Sequence, residues 1–159
     1  MFQYSGEIRN AILNYKFQEK SYIYETFVNF LKNNKKICNE IQKYDIIIPI
    51  PISKKRLRER GYNQSYLLGE KIANILNIDY CKDCLIKIKD NKPQNSLGQE
   101  ERKQNVIGVY KIKNAEKIQN KKILLIDDIF TTGSTANECS KMLKQVNVKN
   151  VSIFTIAKD

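Results

Sequence analysis

The stretch Ile123-Leu124-Leu125-Ile126-Asp127-Asp128-Ile129-Phe130-Thr131-Thr132-Gly133-Ser134-Thr135 decides how this chain is read. Its first part is a continuous apolar run, as expected of a parallel strand covered on both faces. The strand ends in two carboxylates and turns through hydroxyls into a helix predicted from about Ser134 to Lys144. Ligands of open α/β sheets bind at such carboxyl ends. Backbone N–H groups and the partial positive charge at a helix start combine here with the hydroxyls of Thr131, Thr132, Ser134 and Thr135. Together they form a cradle for a phosphate monoester, and Gly133 permits close backbone approach. Two carboxylates repel a phosphate, so Asp127 and Asp128 serve another part of the ligand, its sugar hydroxyls or its metal. That division of labour fits a ribose 5-phosphate. For a bare Asp-Asp or Thr-Thr-Gly fragment, the simpler reading is an acidic cap and a turn.

Composition narrows the rest. A chain of 159 residues suits one domain, here residues 1–159, able to bury roughly 70% of its unfolded surface. Hydrophobic residues are 42% and charged residues 28%, a globular rather than a disordered balance. The longest apolar run, Ile46 to Ile52, falls far short of the ~20 residues of a membrane-spanning helix. No basic segment followed by an apolar one opens the chain, so a cytoplasmic location is expected. Cys38, Cys81, Cys84 and Cys139 are irregularly spaced, which predicts reduced thiols. A closed zinc site would need Cys38 and Cys139 to converge on the single Cys81-Lys82-Asp83-Cys84 pair, and zinc is not expected. With no histidine, imidazole base catalysis and histidine-ligated metals are excluded. The formal charge of +11 favours nucleotide phosphates, pyrophosphate or nucleic acid, the alternative being a solvated basic surface.

Apolar spacings of three and four at Ile8, Ile12, Leu13 and Phe17, then at Ile23, Phe27, Phe30 and Leu31, predict two amphipathic helices. Asp45 to Ile50 reads as a buried strand whose pairing the prolines end. After a basic loop, Asn63 to Leu76 reads as a helix capped by Asn63. Asn77 to Leu85 is a turn with a short strand. Lys87 to Gln104 is a polar stretch expected to be a mobile, functional loop. Val106 to Ile112, Lys122 to Asp128 and Val148 to Ala157 are further strands. Strands alternating with helices imply right-handed βαβ units.

The Asp127 to Thr135 pattern resembles the signature of type I phosphoribosyltransferases that binds phosphoribosyl pyrophosphate (PRPP). Tyr4-Ser5-Gly6-Glu7-Ile8-Arg9 with Lys16-Phe17, Pro49-Ile50-Pro51 with Arg60-Gly61-Tyr62-Asn63-Gln64, and Pro93-Gln94 with Leu97, Glu101-Arg102 and Asn105 narrow the resemblance to the ComF (GntX-like) family. One segment departs from it: Lys87-Ile88-Lys89-Asp90-Asn91 stands where the family has Arg-x-Arg-x-Thr, losing guanidinium forks. Family members commonly carry an N-terminal zinc ribbon, which this chain is expected to lack.

The resemblance implies a three-layer α/β sandwich with a mostly parallel sheet. It implies that Asp127 and Asp128 hold the ribose and, directly or indirectly, Mg²⁺, and that Thr131, Thr132, Gly133, Ser134 and Thr135 take the 5-phosphate. Ser53, Lys54 and Lys55 would bind pyrophosphate, and Tyr62, Asn63 and Gln64 would line the acceptor pocket. Arg102, Lys103 and Asn105 would belong to a flap, the polar loop of about residues 87–105. The implied activity is transfer of 5-phosphoribosyl to a nitrogen acceptor with loss of pyrophosphate. The alternative is a competence accessory that keeps this pocket but binds single-stranded DNA and partner proteins, with the basic, aromatic-interleaved segment Arg56 to Tyr66 tracking the strand. Self-association is left open.

Overall fold

The computed structural model describes residues 2–3, 23–89 and 105–158. The helix read around Ile8 to Phe17, most of the polar loop, and Arg102 and Lys103 lie outside the described residues. The elements run β1 (Phe2–Gln3), α1 (Ile23–Lys32), α2 (Lys35–Ile41), β2 (Ile46–Pro49), α3 (Lys54–Arg60), α4 (Gln64–Leu76), β3 (Asp79–Tyr80), β4 (Leu85–Lys87), β5 (Tyr110–Ile112), a 3₁₀ turn (Ala115–Lys117), β6 (Lys122–Phe130), α5 (Ser134–Lys144) and β7 (Asn150–Lys158).

Five strands form one sheet in the order β1-β7-β6-β2-β3, and every pairing in it is parallel. β4 and β5 form a separate antiparallel pair, Leu85 opposite Ile112 and Lys87 opposite Tyr110. β6 lies between β2 and β7, with Ile46 opposite Ile123 and Leu125 opposite Ile153. Pro49 does not end the pairing with β6: it stands opposite Ile126, and the next amide, Ile50 N, donates to Ile126 O at 2.9 Å.

Successive side chains on a strand point to opposite faces, and the core divides accordingly. Ile46, Ile48, Ile123 and Leu125 pack with Leu85, Tyr110, Cys139 and Leu143 on one face. Ile47, Leu124 and Ile126 pack with Val28, Leu31, Ile41, Leu68 and Ile72 on the other. Two helical layers thus enclose the sheet, a three-layer α/β sandwich. Gly69 brings α4 close to it, since a Cβ there would stand 3.2 Å from the Tyr80 ring and 3.4 Å from Ile47.

Two helices were not legible as such. The segment read as a basic loop is helix α3, started by Ser53, whose Oγ accepts from Arg56 N at 3.3 Å, and stopped by Gly61 at φ 75°. Helix α2 is capped by Asn34, whose Oδ1 accepts from Ile37 N at 3.1 Å. The cysteines also need correction. Cys81 and Cys84, expected as thiols, are joined by a disulfide, because the turn from β3 to β4 holds their Cα atoms 5.5 Å apart, within reach of such a bond. Cys38 and Cys139 remain thiols and pack in the clusters on opposite faces of the sheet. They do not converge. Among the described residues no helix is long and apolar enough to cross a membrane.

Burial pushes the Tyr80 and Tyr110 phenols above their ordinary range, helped by Glu70 at Tyr80 and by Cys139 and Asp127 at Tyr110. A phenol that ionises more readily unfolded than folded contributes stability below the unfolded value, about pH 10, and loses it as pH rises further. Urea midpoints are therefore expected to fall steadily above about pH 10, and less steeply in Tyr80→Phe.

Candidate functional site

The C-terminal ends of β2 and β6 open side by side, and three segments meet there: the Ser53 cap with α3, the turn Arg60 to Ser65, and the Thr131 to Ser134 loop. The apolar run of β6 carries Asp127 and Asp128 to this edge, half-buried. Asp127 Oδ1 accepts from Ser65 Oγ at 3.2 Å and from Asp128 N at 3.0 Å, while Asp128 Oδ1 accepts from Ile129 N at 2.7 Å. Each carboxylate is thus fixed by a neighbouring amide.

The loop that follows is shaped by Gly133, the residue before α5, at φ 74°. Its missing Cβ matters twice: the left-handed backbone disfavours side chains, and a Cβ would stand 2.8 Å from Phe130 Cζ. Thr132 Oγ1 and Ser134 Oγ are 2.7 Å apart, and Ser134 N donates to Thr132 Oγ1 at 3.4 Å. The first turn of α5 begins in this loop, where helix N–H groups lack intrahelical acceptors. Thr135 is hydrogen-bonded to the buried Tyr110, tying the loop to the β4–β5 pair. Gly133→Ala is expected to cost roughly 1–3 kcal/mol for the forced positive φ, read as a lower urea midpoint.

The remaining candidates fall as follows. Ser53 is buried, and its hydroxyl caps α3. Lys54 and Lys55 are exposed in the first turn of that helix. Asn63 is buried, with Nδ2 donating to Ile50 O at 3.1 Å and Oδ1 accepting from Ser65 N at 2.9 Å, so its amide shapes the turn. Gln64 is also buried, and its Oε1 accepts from Arg60 Nη1 at 3.3 Å. Tyr62 is half-buried, and Asn105 is half-buried at the start of the next described stretch.

Three residues at the site were not singled out for these roles from sequence. Ser65 reaches Asp127 across 62 residues, and Tyr110 meets Thr135. The Arg60 guanidinium is pulled below its ordinary value by burial and then by Arg56, with Asp128 among the opposing charges. Arg60 therefore lies within the electrostatic field of Asp128. Asn63 signals a helix cap in the sequence, but nothing local signals the partner of the Ser65 hydroxyl.

A parallel sheet with an acidic pair and a hydroxyl-glycine loop at its carboxyl edge defines a type I phosphoribosyltransferase-like protein. The pattern of the phosphoribosyl transferase domain matches residues 63–159. The chain belongs to that family and, within it, to the ComF group. It is 28% identical over 151 residues to Competence protein F of Haemophilus influenzae, covering 92% of this chain and 66% of that protein. It is 30% identical over 158 residues to Competence protein ComFC of Streptococcus pneumoniae, covering 99% of this chain and 66% of that protein. The chain spans about two thirds of the length of either relative. A crystal structure of adenine phosphoribosyltransferase superposes with a TM-score of 0.57 at 13% identity, covering 90% of this chain and 74% of that one. This last likeness is one of fold.

Proposed function

We propose that the chain binds PRPP with Mg²⁺ and transfers its 5-phosphoribosyl group to a nitrogen acceptor, releasing pyrophosphate. The observation that carries this reading is the position of Asp127 and Asp128 near the C-terminal end of β6, where only Ile129 and Phe130 separate them from the Thr131 to Thr135 loop. The loop amides and hydroxyls take the 5-phosphate. The two carboxylates accept from the ribose hydroxyls and oppose the positive charge that develops on the sugar as the bond to pyrophosphate breaks. Carboxylate oxygens are the hard ligands Mg²⁺ prefers, so Asp127 and Asp128 fit the ion. Bound there, it would offset the charge of the departing pyrophosphate. Lys54 and Lys55, exposed in the first turn of α3, add positive charge beside the same strand ends, and Tyr62 faces the acceptor.

The test is calorimetric titration of PRPP and Mg²⁺ at fixed moderate salt, followed by pyrophosphate release with a panel of nitrogenous bases. Saturable 1:1 binding supports the reading, and no heat from folded protein overturns it.

The names of the two bacterial relatives favour a second reading, a role in competence in which the chain handles single-stranded DNA. Lys54, Lys55 and Arg58 are exposed on α3, and Lys82 Nζ lies 5.2 Å from the centroid of the Tyr66 ring. This pairs positive charge with an aromatic face, the combination that strand binding uses. If this reading holds, oligonucleotide affinity falls steeply and linearly on a log–log plot against salt. A flat plot would sink it.

A further inference from the structure

We propose that Ser65 is a positioning residue for Asp127, and that the turn from Arg60 to Ser65 thereby sets how the ribose is held. This rests on the PRPP reading and extends it to a residue outside the acidic pair and the phosphate loop.

Ser65 is 3% exposed, so its hydroxyl has little water to bond. Its Oγ donates to Asp127 Oδ1 at 3.2 Å, across elements 62 residues apart in sequence. The serine is itself held, because its amide donates to Asn63 Oδ1 at 2.9 Å and Asn63 Nδ2 donates to Ile50 O at 3.1 Å. A chain of hydrogen bonds thus runs from the end of β2, through the α4 cap, to the first carboxylate of the site. The same Oδ1 accepts Asp128 N at 3.0 Å. Two donors converging on one oxygen fix the rotation of the carboxylate and direct its second oxygen. A buried hydrogen bond to a charged acceptor is of the stronger kind, and such geometry is what orients a reacting sugar. Arg60, at the other end of the turn, lies within the field of Asp128, so the turn addresses both members of the acidic pair.

The test compares wild type, Ser65→Ala and Ser65→Thr in calorimetric titrations with ribose 5-phosphate and, separately, with inorganic pyrophosphate, both without Mg²⁺ so that neither arm reads the metal contact of Asp127. Ser65→Ala is expected to bind ribose 5-phosphate roughly tenfold more weakly, the size of one charge-assisted hydrogen bond. Its pyrophosphate affinity should stay at the wild-type value, and Ser65→Thr, which keeps the hydroxyl, should recover the ribose 5-phosphate affinity. A general structural defect would weaken both ligands together. Urea unfolding of wild type, Ser65→Ala, Asp127→Ala and the double variant supplies a reading free of ligand, in which a direct contact gives non-additive losses. Wild-type ribose 5-phosphate affinity in Ser65→Ala, equal weakening of both ligands, or additive unfolding losses would overturn the assignment. A wild-type protein that binds neither ligand brings down the PRPP reading instead, and the unfolding cycle then decides whether Ser65 holds the carboxylate.

Discussion

Replacing Asp127 and Asp128 together by asparagine is expected to weaken PRPP binding by at least roughly a hundredfold while leaving the protein folded. Hydrogen bonds to a charged acceptor contribute about 1.5–3 kcal/mol each, and about 1.4 kcal/mol is tenfold in affinity. Losing one such bond at each residue accounts for the effect before any metal contribution is counted. The fold should survive, because asparagine keeps an Oδ1 to accept from Ser65 Oγ and from the amides of Asp128 and Ile129, the bonds that hold these side chains. Calorimetry and urea unfolding on the same samples separate the two effects. The change also divides the two functional readings. Removing two negative charges raises the formal net charge above its present +11, so a ligand held only by phosphate attraction would bind as well or better. A double variant that retained wild-type PRPP affinity would exclude the acidic pair from the site.

The second large effect concerns the strand that delivers those carboxylates. Leu125 is fully buried, at 0% exposure, in the cluster that contains Ile48, Cys139 and Leu143. Leu125→Ala removes three carbons from a place walled by strands on both sides, β2 and β7. Such a site collapses poorly, so the cost falls around 3–4 kcal/mol. In a domain of this size that corresponds to a melting temperature lower by roughly 10 °C. A shift as small as that of the exposed Lys111→Ala would show that β6 is not the centre of the core.

Much of the arrangement was legible because its signals are local. The apolar run of β6, the carboxylates at its end, the glycine turn and the helix after it are adjacent in sequence, and each constrains the next. The sheet direction followed from strands alternating with helical patterns. Helix α3 was missed for a physical reason: Lys54-Lys55-Arg56-Leu57-Arg58-Glu59-Arg60 has a single strongly apolar side chain, so it shows no buried stripe and no 3.6-residue period. Its boundaries were nonetheless written in Ser53 and Gly61, the two caps. The disulfide between Cys81 and Cys84 was missed because spacing alone does not show that a turn closes between them. Ser65 and Tyr110 act through partners distant in the chain, which pattern reading does not supply.

The pairing of β2 with β6 places Ile46 opposite Ile123. On a ribosome, where residues are added at about 5–20 per second, β2 leaves several seconds before the strand it needs. Until then the run Ile46 to Ile48 has no partner along the edge that β6 later covers. Neighbouring strands in such a sheet form late because long loops must close first. The nascent chain therefore carries an exposed, branched apolar edge, a substrate for holding chaperones, and the ligand cradle is among the last parts to appear.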